Sequence, residues 1–174
     1  MKELIMSIQW RELIRELLIM ALIIGVLQFV LPRSVVQGSS MQPNLATGQR
    51  LAASPLPYIW GQPQRGDIVM MYPVEEDGSN LVKRIIGLPN ETILIHDGVL
   101  VINGTAIQEP YLNTLLASRR NGFWELDDNE YFIVGDNRNT SYDSRNYGAV
   151  SGDLIMGKVL FRWYPLNQLR WFSD

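Results

Sequence analysis

Hydrophobic positions fall into two regimes along the chain. From Leu17 to Leu31 the sequence reads LLIMALIIGVLQFVL, fifteen residues with one polar side chain, Gln28, and no charge. Extending back to Leu13 takes in Arg15 and Glu16 and gives nineteen residues, about 28 Å of helix. Those two charges lie within a turn of the end and can snorkel to headgroups. Pro32 stops the helix, and Arg33 marks the far interface. The run is apolar all round rather than striped, which argues against a buried amphipathic helix. No small-x-small cleavage site follows it, since Leu31-Pro32-Arg33 and Val35-Val36-Gln37 are bulky, which argues against a cleaved leader. The pattern predicts an N-terminal arm and a single uncleaved transmembrane helix over residues 1–33. Lys2, Arg11 and Arg15 ahead of it favour a cytoplasmic N-terminus with the bulk of the chain outside.

Beyond the run, over residues 34–174, apolar stretches are short and turn signals frequent. Candidate strands are Ile68–Tyr72, Leu81–Val82 with Ile85–Ile86, Thr92–Ile95, Val99–Ile102, Glu130–Val134 and Gly157–Trp163. Asp97-Gly98 and Asn103-Gly104 flank two of them as hairpin signals. This spacing predicts a mainly β body, barrel or sandwich. Residues 111–130 are charged and irregular and read as an exposed insertion or a short helix with a loop. The Asn-x-Ser/Thr sequons at Asn90, Asn103 and Asn139 read as incidental.

Composition narrows the chemistry. The 174 residues contain no cysteine, one histidine and three lysines. Cysteine nucleophiles, thiolate zinc sites and disulfide frameworks are excluded, as are clustered-histidine metal sites. His96 lies in a turn between two predicted strands, a poor place for a general base. The net charge is −3, too acidic to suggest nucleic acid. Residues 1–33 carry four basic and three acidic residues, net +1; the rest carries eleven and fifteen, net −4.

Three constellations can carry chemistry. Gly38-Ser39-Ser40-Met41-Gln42-Pro43-Asn44 is a turn that exposes a serine and its backbone N–H groups; a plain linker has the same composition. Lys83, in Leu81-Val82-Lys83-Arg84-Ile85-Ile86-Gly87-Leu88-Pro89, sits in an apolar strand. Burial there would disfavour the ammonium and make a usable base. Lys158, in Met156-Gly157-Lys158-Val159-Leu160-Phe161, has the same setting, and spacing does not choose between them. The third segment, Gly135 to Arg145, packs acids, arginines, asparagines and hydroxyls closely enough to form a paired network.

In this order, with Arg65-Gly66-Asp67-Ile68-Val69 between the first two, the segments resemble type I signal peptidases, membrane proteases that remove signal peptides with a Ser/Lys dyad. The resemblance spans residues 34–164. It implies a β-rich catalytic domain of coiled antiparallel sheets, with Ser40 as nucleophile and Lys83, rather than Lys158, as base. It implies that Ser141 orients the lysine, that Asp143 and Arg145 brace the site, and that the Ser40 backbone N–H serves the oxyanion hole. Substrates would be exported preproteins with small residues at −1 and −3, cleaved at a lipid bilayer through an acyl-enzyme, with no metal or cofactor. Departures are Asn44 where the family usually has Thr, Asn90-Glu91 where it has Gly-Asp, and Gly38 where some members place an oxyanion-donating serine. Tyr58, Trp60, Trp163, Trp171 and Phe172 are candidate interfacial aromatics, with core packing the commoner role for such residues. Two alternatives remain: a specialised relative maturing a narrow substrate set, and an inactive anchored β-domain that binds exported chains.

Overall fold

The computed structural model describes residues 2–30, 33–74, 78–112 and 120–172, and the chain divides into units 1–32 and 33–174. The first unit is one helix, α1 (Lys2–Val30), whose described side chains are those of residues 10–25. They are exposed, from Leu13 and Ile14 through Leu22, Ile23 and Ile24. Among the described residues no helix is long and apolar enough to cross a membrane. The expectation of an anchor therefore stands on the sequence alone.

The second unit is mainly β, as the strand spacing predicts. Its strands are β1 (Arg33–Val35), β2 (Arg50–Ser54), β3 (Ile68–Met71), β4 (Leu81–Gly87), β5 (Thr92–His96), β6 (Val99–Ile102), β7 (Thr105–Ala106), β8 (Gly122–Glu125), β9 (Glu130–Val134), β10 (Val150–Ser151), β11 (Ile155–Tyr164) and β12 (Arg170–Trp171). A four-residue helix, α2 (Ser144–Tyr147), follows β9. Eight strands form one antiparallel sheet in the order β1-β2-β11-β3-β4-β9-β10, with β12 on β11. Four form a second sheet, β7-β6-β5-β8.

Strand alternation explains how the central strands serve two cores. Ile68 and Met70 of β3 join Met41, Leu45 and Leu51 in one cluster, while Val69 and Met71 join Ile85 and Ile133 in another. All four are buried, so β3 reads as an unbroken apolar run. On β4, Lys83 is paired with Val69 and shares its face with Ile85. A lysine is thereby carried into apolar packing by register alone. A third cluster, around Ile86, Ile93, Ile102 and Phe132, takes residues from both sheets. Gly87 belongs here for steric reasons, because a Cβ would come within 2.8 Å of the Phe132 Cβ.

Three readings of the sequence are corrected. His96 is not in the turn but closes β5, paired with Val99 and exposed, and the turn is Asp97-Gly98. Within 111–130, Gly122–Glu125 form β8 on β5 and Leu126 is buried, so this part belongs to the sheet; residues 113–119 lie outside the described residues. Trp60 and Trp171 are 85% and 71% exposed, so neither packs the core. Short strands such as β7, β10 and β12 offered no alternation to read.

Candidate active site

Ser40 lies in the turn between β1 and β2. Gly38 enters that turn at φ +83°, a conformation that strains any side chain there. The turn is fastened from a distant segment. The Asn137 backbone N–H donates to the Ser40 carbonyl at 2.9 Å, and the Asn137 side chain donates to the Ser39 carbonyl at 3.1 Å. The Gln42 N–H also donates to Ser39 O. With both flanking carbonyls held, the planar peptides fix the direction of the Ser40 N–H as well.

Lys83 is 3% exposed. Its Nζ donates to Ser141 Oγ at 2.9 Å. Burial lowers its pKa from the ordinary lysine value; Asp143 partly opposes this and Arg145 adds to it. Asp143 is fully buried and accepts from Arg145 Nε and Nη2, both at 2.8 Å, and from the Gly135 N–H at 3.0 Å. Burial pushes this carboxyl up, but the Arg145 hydrogen bonds and charge, with Ser141 and Gly135, hold it below the ordinary carboxylate range. Asp143 also caps α2, and Arg145 reaches the Arg138 carbonyl at 2.7 Å. Ser141, Asp143 and Arg145 are thus one buried group under Lys83.

Gly135 makes the close approach possible. A Cβ there would lie 2.3 Å from Ser141 Oγ and 2.4 Å from the Ser40 carbonyl oxygen. Only a bare α-carbon lets β9 deliver the 135–145 segment to both groups.

Ser40 and Lys83 line one groove of about 360 Å³ with Pro73, Val74, Leu81 and Tyr142. A neighbouring cavity of about 340 Å³ shares Ser40, Ser79 and Leu81 and is walled by Val36, Met41 and Val82. Ser39 is exposed and lines neither.

Lys158 is placed elsewhere. Its Nζ is 2.7 Å from Asp67 Oδ1, a carboxylate that also accepts from Tyr58 Oη. A direct carboxylate partner favours the charged ammonium, which suits a structural ion pair rather than a base.

The sequence did not foresee several of the pairings that hold the site. Asp136 accepts a two-pronged pair from Arg84, with both distances 2.8 Å, and Arg84 lies 4.0 Å over the Tyr111 ring. Asn44, the departure from Thr, donates to Asp136 Oδ2 at 2.8 Å and to the Tyr111 carbonyl, tying the serine turn into that pair. Arg138 pairs with Glu109. The other departures also fit: Asn90 takes φ +63°, which asparagine tolerates, and Glu91 pairs with Arg65 at 2.6 Å. A buried arginine needs an acid, which is the only hint the sequence holds of the Arg84 and Arg138 pairs.

Lys83 is thus buried on the Ser141 hydroxyl and shares a groove with Ser40, whose turn is held at both flanking carbonyls. The family described as signal peptidase, peptidase S26, matches residues 9–164, and the chain belongs to it. Membership makes it a serine endopeptidase, a hydrolase of the kind that processes signal peptides. A signal peptidase I from Bacillus caldolyticus is 37% identical over 80% of this chain and 83% of its own. A signal peptidase IB from Staphylococcus aureus is 30% identical over 94% of this chain and 93% of its own. A crystal structure of a signal peptidase I from Enterococcus faecalis superposes with a TM-score of 0.50 at 31% identity, covering 57% of this chain and 97% of that one.

Proposed function

We propose that this protein cleaves signal peptides from exported preproteins by a Ser40/Lys83 dyad. The observation that carries the reading is Lys83: buried, hydrogen-bonded to a hydroxyl, and lining the same groove as Ser40. Neutral Lys83 accepts the Ser40 proton as Ser40 Oγ bonds to the scissile carbonyl carbon. The Ser40 backbone N–H donates to the developing oxyanion. The ammonium then gives its proton to the leaving amine as the C–N bond breaks. Water, deprotonated by the same lysine, hydrolyses the ester and restores both groups. Ser141 holds the amine in place, and the Asp143–Arg145 pair holds Ser141.

The substrate carries small residues at −1 and −3 ahead of the scissile bond. The protein sits in the cell membrane by a single span within residues 1–33, with the N-terminus cytoplasmic and the catalytic domain outside. The uncharged run to Leu31, and the exposed apolar side chains along α1, support this reading.

The test is cleavage of a preprotein in detergent. Ser40→Ala, Lys83→Ala and Lys83→Arg each abolish product, the last because guanidinium does not deprotonate. Cleavage by Lys83→Ala at the wild-type rate refutes the dyad. Alkaline extraction of membranes tests the anchor: removal of residues 1–33 releases the protein.

A further inference from the structure

The groove holding Ser40 and Lys83 carries more aromatic surface than the dyad requires. Tyr142 and Tyr147 form one wall, with ring centroids 5.5 Å apart and planes tilted by 59°. Tyr142 is set between Ser141 and Asp143, both buried, yet it is itself 59% exposed. The neighbours turn into the buried network and Tyr142 turns to the groove. The Tyr147 hydroxyl is buried with no hydrogen-bond partner among the described residues. Burial, with Asp143 and Tyr142 nearby, raises its pKa, so it remains a donor.

Resting on the reading of Ser40 as nucleophile, strand geometry limits which substrate residue reaches this wall. An extended peptide sends the −1 and −3 side chains to one side and the −2 side chain to the other. Ser40 is shared by two cavities. Methyl-sized side chains are met by the cavity walled by Val36, Met41 and Val82, and gain little from an aromatic wall. The −2 side chain then faces the tyrosines.

We propose that Tyr142, braced by Tyr147, receives the −2 side chain of the preprotein and gives this enzyme a preference for a large apolar or aromatic residue there.

The test uses the full chain in detergent and preproteins with Ala at −1 and −3 and Ala, Leu, Phe or Asp at −2. Wild type cleaves the Leu and Phe substrates with kcat/KM about tenfold above the Ala substrate, mostly through KM. Tyr142→Phe keeps that ratio. Tyr142→Ala brings the Leu and Phe substrates down to the Ala level, and Tyr142→Thr does the same if the alanine variant folds poorly. Unchanged −2 ratios in Tyr142→Ala overturn the proposal, as does a preference that follows +1 instead. A flat −2 profile with Ser40-dependent cleavage overturns this inference alone, whereas cleavage that survives Ser40→Ala overturns the dyad reading beneath it.

Discussion

Lys83 and Lys158 occupy matching places in neighbouring parts of one sheet, and the fold gives them opposite surroundings. Both lie in long strands among branched apolar residues, and Lys158 and Lys83 flank Val69 of β3 from either side. Lys158 meets a carboxylate at 2.7 Å, with Asp67 itself 1% exposed. Lys83 meets a hydroxyl at 2.9 Å, and the nearest acid of its network, Asp143, is already engaged by Arg145. Burial alone therefore does not make a base. The neighbour decides, and here a serine stands where a carboxylate would have kept the lysine charged.

Exchanging the two roles is the sharpest way to break this comparison. Lys83→Ala lowers kcat/KM by more than about a thousandfold, while Lys158→Met leaves the pH profile and cleavage intact, as initial-rate assays will read. The cost of Lys158→Met falls on stability, about 3 kcal/mol in urea unfolding, because Asp67 is left buried and unpaired. Equal loss of activity in both variants removes the distinction.

Gly135→Ala ranks next. Its Cβ collides with Ser141 Oγ and the Ser40 carbonyl, so rate falls about a hundredfold and stability by about 2 kcal/mol. An active, fully stable variant contradicts the close approach.

The pH dependence sharpens the same point. Lys83 has a pKa below the ordinary 10.5, so kcat/KM rises with pH through a midpoint under that value. Between that midpoint and 10.5 the unfolded chain binds more protons than the folded one, so stability rises with pH across this window. A profile with its midpoint at 10.5 or above refutes a desolvated base. Asp143 has the opposite sign. Its depressed pKa contributes stability that is complete above the ordinary value of 3.8 and is lost as pH falls through the folded one. Asp143→Asn flattens the acid limb of a thermal-melt series and lowers the melt at neutral pH as well, because Arg145 is left buried beside a neutral amide.

The sequence was legible where chemistry is local. The strands around Lys83, Tyr131 and Val159 carry alternating or continuous apolar runs long enough to read. The Gly135–Arg145 segment folds largely onto itself, so its residues could be seen as one unit. What stayed hidden depends on long separations. Asn44 and Asp136 are 92 positions apart, and no periodicity links them. Strand β8 has its partners in β5, far back in a stretch whose own composition suggests loop. The two lysines looked alike because their difference lies in Asp67 and Ser141, residues that register, not spacing, brings across.

The Asn137 and Gly135 contacts have a consequence for assembly. One short segment after β9 grips the serine turn through two carbonyls and supports the lysine through Ser141. The serine turn and Lys83 are thus each fixed to a shared third body rather than to each other. On the proposed dyad reading, a chain in which that segment has not docked holds neither group in register.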